Sequence, residues 1–255
     1  MSGIGLVVAL PRELPTGFVR SHDRHERAET PPFPVYRYET ALGRLTVVQS
    51  GIGQRRAAMG ASWLVRQSSP SALVSFGFAG GLNPQLTRGT LVIATALVAD
   101  NPSTIVDRAY RNLIDQFQTA AEAEGLPVQQ GPIVTTEHVV ADAASKAVFW
   151  RQSGACAVDM ETAGVVQVAR EVGLPWGALR AIVDCASEPL PAAYLAALRG
   201  DGRVAVGGLV RTLCRSPSLI RHLFTLAAGT AMARRHLSRV LMRWAANPPT
   251  QAPLV

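Results

Sequence analysis

The chain has 255 residues, 48% of them apolar and 17% charged, with a formal net charge of +7. That balance suits one large globular domain with a well-buried core, or two small ones, and excludes a disordered chain. Eight arginines and no acid follow from residue 203 onward, so the basic excess belongs to the tail and residues 1–202 carry about −1. Cys156, Cys185 and Cys214 are odd in number and widely spaced, which argues against a disulfide framework. No Cys or His spacing suits a metal, so neither metal nor cofactor is expected, and the setting reads as a reducing cytoplasm.

The opening GIGLVVAL (3–10) reads as a buried first strand. Its apolar run is short and has no basic segment before it, so it does not read as a signal peptide. The polar, proline-rich segment 20–34 reads as a loop. VYRYET and LTVVQS (35–50) form a hairpin about an LGR turn. RRAAMGASWLVRQ (55–67) has helical spacing. ALVSFG (72–77), TLVIATALV (90–98) and PIVTTEHVV (132–140) read as strands, with a helix near 108–124. A further helix fits 142–152. Then come ACAVDM as strand, ETAGVVQVAREV as helix, and WGALRAIVD (176–184) as strand. The alternation predicts a three-layer α/β/α sandwich around a mixed central sheet, with a C-terminal helical extension. A boundary is expected within 185–203, dividing a body of about residues 1–200 from a basic helical extension over 201–255.

Three acids fall at three strand ends. In AVDMETAG, Asp159 and Glu161 start on the same side of a strand, and Glu161 opens the next helix, where the dipole favours its ionised form. A carboxylate there, beyond the carboxyl end of a strand, suits a pair of vicinal hydroxyls and positive charge developing on a sugar. The plainer reading, a helix-start acid, stays open at this point. WGALRAIVD carries Asp184 to an apolar tip, where a raised pKa suits a general acid, or where the residue is simply a loop aspartate. Glu13, just past Pro11, is placed either to activate water or to serve a first helical turn. The turns QSGIGQRR and SFGFAGGL could let a ligand approach backbone, but neither has the spacing of a nucleotide-binding motif. His138 reads as a packed or loop residue.

Taken together and in order, VVALPREL, QSGIGQRRAA, SFGFAGGL, AVDMETAGV and ALRAIVDCAS resemble the purine nucleoside phosphorylase and methylthioadenosine/S-adenosylhomocysteine nucleosidase superfamily. The resemblance spans about residues 3–188. It implies that Glu161 binds the ribose hydroxyls, Met160 lines the sugar and Asp184 protonates N7 of the purine. It implies further that Glu13 positions the attacking water, that Arg180 orients the site, and that Ile52 and the backbone near Val140 flank the ligand. Val139 stands where the nucleosidases stack an aromatic on the base, and Asp159 replaces the first glutamate of the family's V-E-M-E motif. The phosphorylases hold phosphate partly with an R-x-G-S-x-G turn. Here that turn is Ser75-Phe76-Gly77-Phe78-Ala79-Gly80, in which serine replaces the arginine and phenylalanine replaces the serine. A phosphate dianion needs charged donors, and Glu13 would repel it, so the resemblance implies hydrolysis, with phosphorolysis as the alternative. Phe78 also makes the sugar side more apolar.

In the tail, Leu237, Val240, Leu241 and Trp244 recur at helical spacing beside a row of Arg235, Arg239 and Arg243. Such a helix either lies on an anionic membrane surface or packs into a core or dimer with its arginines in solvent. No run is long and apolar enough to span a bilayer. Aromatics are not interleaved with the arginines, so nucleic acid is not an expected partner. ALPREL together with LPxAxLxAL and DGR after the catalytic segment resembles the hopanoid-associated branch of the superfamily. That branch implies adenine release from adenosylhopane in hopanoid biosynthesis, a nucleoside with an apolar 5′ group. The expectation is a cytoplasmic homodimer, peripheral on the membrane. Methylthioadenosine/S-adenosylhomocysteine cleavage, or a non-catalytic nucleoside-binding protein, are the alternatives.

Overall fold

A computed structural model describes residues 3–16, 33–99, 104–190 and 218–247. Most of the 20–34 loop, the proposed boundary beyond Leu190, the segment with the DGR triplet and Cys214 lie outside these residues.

β1 (Ile4–Val8) leads into a short 3₁₀ turn at Pro11–Glu13. The hairpin follows as β2 (Val35–Thr40) and β3 (Gly43–Gln49). Then come α1 (Gln54–Ser68), β4 (Ala72–Gly81), β5 (Leu91–Val98) and β6 (Ile105–Arg108). Next are α2 (Arg111–Ala123), β7 (Val128–Thr135), α3 (Ala143–Ser153), β8 (Ala157–Asp159) and α4 (Thr162–Val172). β9 (Trp176–Asp184) and the long α5 (Ser218–Ala246) complete the order. The strands form one mixed sheet in the order β2-β3-β1-β4-β8-β7-β5-β6, with β9 pairing β4 and β5. Because β4 pairs both β8 and β9, strands β4, β9, β5, β7 and β8 close on themselves.

Helical spacing decides what the helices bury. Ala57, Gly60, Ala61 and Leu64 face inward from α1, and Val165, Val166 and Ala169 from α4, on one side of the sheet. Leu113, Ile114 and Phe117 of α2 line the other side together with α5. The sandwich expected from the alternation is therefore present, and its sheet is mixed.

Two local readings are corrected. The strand expected over 132–140 begins at Val128 and stops at Thr135. Beyond it the Thr136 hydroxyl bonds the His138 carbonyl at 2.8 Å, folding 136–140 into a loop. The edge strand β6 is absent from the sequence reading, because IVDR is short and three of its four residues are exposed, which leaves no apolar alternation to mark it.

The tail row is decided by packing. Leu237, Val240, Leu241 and Trp244 are buried in the same core cluster as Leu6, Phe76 and Leu179. The Trp244 ring lies 4.8 Å from that of Phe117, and its Nε1 donates to Gln116 Oε1 at 2.8 Å. Arg239 and Arg243 both pair with Glu124, each at 2.9 Å. Of the two readings left open for this apolar face, a membrane surface or a packed core, the structure shows the second. Among the described residues no helix is long and apolar enough to cross a membrane.

Candidate active site

The sheet carries the carboxyl ends of β1, β4, β7 and β9 to one place. β1, β4 and β9 run parallel, so the turn after β1, residues 78–80 of β4 and Asp184 of β9 end side by side. There they enclose a cavity of about 160 Å³. Glu13, Ile52, Phe78, Gly80, Val139, Val140, Asp159, Met160, Glu161 and Asp184 all line it. Arg180 does not line it. Leu10, Arg12, Leu190 and Thr230 line it without having been anticipated, the last from the tail helix.

Glu13 is buried and held by backbone. Its Oε2 accepts from the Ala9 and Leu10 amides at 2.8 and 2.7 Å, and its Oε1 from the Phe78 amide at 3.1 Å. Burial raises its pKa, opposed by these amides and by the Arg180 charge. Gly77 makes this possible. A Cβ there would stand 2.5 Å from Glu13 Oε1 and 2.7 Å from Arg180 Nη1, so any side chain would drive the two apart.

Arg180 is 1% exposed and belongs to a network behind the pocket. Its Nε donates to Asp159 Oδ2 at 2.7 Å, and its Nη2 to the Ser75 and Thr162 hydroxyls at 2.6 and 2.9 Å. Asp159 Oδ1 also accepts from the Thr135 hydroxyl at 2.6 Å, and the Thr162 hydroxyl donates to Oδ2. Both Asp159 oxygens are thus engaged in the network that holds Arg180, at the wall of the cavity it lines. Ser75, standing where a phosphorylase has arginine, is fully buried in the same network.

Glu161 is the N-terminal flanking residue of α4 but makes no capping bond there. Its Oε1 accepts from the Gly53 amide at 2.9 Å, across from the start of α1. Burial raises its pKa to about 7, helped by Asp159 and Glu13 and opposed by Arg180 and the Gly53 amide. The expectation that the helix dipole favours its ionised form is therefore corrected, since burial outweighs it. One arginine faces three buried acids; burial works against its charge, but the acids hold its pKa above the ordinary value.

Asp184 has a raised pKa, mainly through burial. Lys146 opposes that, by charge and by donating from Nζ to Oδ2. Lys146 lies in α3 and is fully buried. Its Nζ also donates to the Cys185 and Glu188 carbonyls, each at 2.9 Å. Glu188 in turn accepts from the Cys185 amide at 3.0 Å and pairs with Arg88 at 2.5 Å. Lys146, Arg88 and Glu188 were missed at the level of sequence. The available signal was composition, since Lys146 is the one lysine of the chain against 24 arginines. Among the described residues no group of three or more His, Cys, Asp or Glu could hold a metal ion.

Residues 3–204 match the model of the Phosphorylase superfamily. The chain belongs to that superfamily. It is 28% identical over 203 residues to a 5′-methylthioadenosine/S-adenosylhomocysteine nucleosidase of Exiguobacterium sp., a match covering 72% of this chain and 86% of that one. The nucleosidase of Neisseria meningitidis, solved with methylthio-immucillin-A, has the same fold: TM-score 0.72 at 20% identity, over 96% of this chain and 98% of that one. Futalosine hydrolase of Helicobacter pylori also shares it, with a TM-score of 0.68 at 17% identity over 94% and 97%.

Proposed function

We propose that this protein is a purine nucleosidase, hydrolysing the N-glycosidic bond of an adenosine derivative. The observation that carries the hydrolytic reading is the seat of Glu13. Three backbone amides beside the pocket, those of Ala9, Leu10 and Phe78, are spent on its carboxylate. These are donors an anionic phosphate would want, and an acid already occupies them. Glu13 takes the proton of an attacking water, Glu161 holds the ribose hydroxyls, and Asp184 gives a proton to N7 of the departing base. The C1′–N9 electron pair leaves with the purine as water oxygen bonds C1′, and the products are free adenine and a free sugar. The nucleosidase relatives support the reaction class.

An apolar 5′ group is the second part of the proposal. Leu10, Ile52, Phe78, Val139, Val140 and Leu190 give the pocket a largely apolar wall. With the sequence resemblance to the hopanoid-associated branch, this favours adenosylhopane over methylthioadenosine as substrate. A homodimer is the third part. Ile105, Val106 and Val139 are more than a third exposed, and Val139 lies at the pocket, so a second copy would cover its rim. The test incubates the protein with adenosylhopane, methylthioadenosine and inosine, with and without phosphate, while released base and sugar are followed. Adenine with free sugar, independent of phosphate and fastest from adenosylhopane, is the expected result. Phosphate-dependent sugar 1-phosphate would overturn hydrolysis, and a preference for methylthioadenosine would overturn the apolar 5′ group.

A further inference from the structure

A chain with 24 arginines and one lysine places that lysine at a fully buried position beside the pocket. An ammonium is compact and carries three donors, whereas a guanidinium is a broad planar fork. The site fits the former. Lys146 Nζ has three acceptors: Asp184 Oδ2, the Cys185 carbonyl and the Glu188 carbonyl. Two of these are neutral, so the single carboxylate among them bears the whole charge of the contact. A buried cation without that carboxylate would be left uncompensated.

We propose that Lys146 is the positioning residue for Asp184, clamping one carboxylate oxygen so that the other carries the proton to the base. This rests on the nucleosidase reading above. Lys146 takes Oδ2, and Asp184 lines the pocket, with both carboxylate oxygens within 3.5 Å of where a Cβ on Gly80 would stand, so Oδ1 is the oxygen left to serve the base. The proton passes from Oδ1 to N7, the C1′–N9 pair goes to the purine, and Asp184 is left as a carboxylate against an ammonium already in place. The other charged groups facing this corner are Glu188 and Arg88, which pair with each other. Their charges act in opposite senses on Asp184. The clamp also ties the residues after β9 to α3, since the same ammonium holds carbonyls 185 and 188. Lys146 therefore fixes both the acid and the loop that follows it.

Because only one lysine exists, labelling with ¹⁵N-lysine gives a single side-chain ammonium resonance, which reads the pair without any assay of activity. The expected result is one inflection with pH as Asp184 titrates, absent in Asp184→Asn. An identical titration in both proteins would overturn the clamp. In the pH profile of adenine release, Lys146→Met is expected to move the basic limb upward by about one unit or more, since an opposite charge beside an acid lowers its pKa by that order. Lys146→Arg keeps the charge but not the compact geometry, and is expected to lose turnover with the limb unmoved. A folded Lys146→Met with the unaltered profile would overturn the positioning role. If the unsubstituted protein releases no adenine from any adenosine derivative, the nucleosidase reading falls, while the ammonium titration still decides the clamp.

Discussion

Asp159 and Glu161 stand two residues apart and do different work because their neighbours differ. Asp159 meets a guanidinium and two hydroxyls, so both of its oxygens are held. Glu161 is buried beside two other acids, and burial raises its pKa to about 7 against the Arg180 charge and the Gly53 amide. For an acid raised in the folded state, the unfolded chain ionises first, so stability falls as pH rises from about 4.5 to about 7 and levels off above. Glu161→Gln is accordingly expected to raise the melting temperature at pH 8 and to change it little at pH 5, as thermal denaturation at the two pH values would report. Its adenine release should be lost at both. Asp184→Asn removes the proton donor with the same shape. It is expected to lower turnover by about 10²–10⁴-fold, with an unaltered circular dichroism spectrum; near-normal release would refute the acid role.

At the scale of elements, the site depends on how closely α1 and α4 approach. Gly164, in the first turn of α4, faces the first turn of α1. A Cβ on it would lie 2.1 Å from the Gln54 carbonyl oxygen, a backbone atom that cannot swing aside. Gly164→Ala is therefore expected to cost about 1–3 kcal/mol in urea denaturation. It should also weaken activity, because pushing α1 outward carries the Gly53 amide off Glu161. A stable, fully active Gly164→Ala would show that the two helices can slide without disturbing the acid.

For the whole molecule, the tail helix is part of the core. Trp244 fills space between α2 and the sheet, and α5 also sends Thr230 to the pocket. Trp244→Ala is expected to destabilise the protein by about 3–5 kcal/mol in chemical denaturation. Removal of the chain from Thr230 onward should leave apolar sheet residues open to water and yield aggregated or unfolded protein. A soluble, folded truncation would instead mark the helix as a detachable extension.

Periodicity and strand-end chemistry carried much of this into view from the sequence. Strands β1 and β9 and helices α1 and α4 lie where alternation and helical spacing put them, because those patterns are set by neighbours within a few residues. The three acids were legible for the same reason: each follows an apolar run that must end at a sheet edge. What could not be read was pairing. That Lys146 meets Asp184, 38 residues away, that Asp159 is consumed by Arg180, and that the apolar face of the tail closes against Phe117 all depend on which elements pack together. Local spacing shows that a helix has an apolar face and that an acid stands at a strand end. Only the packed molecule decides what covers the face, and which charge is left to meet the acid.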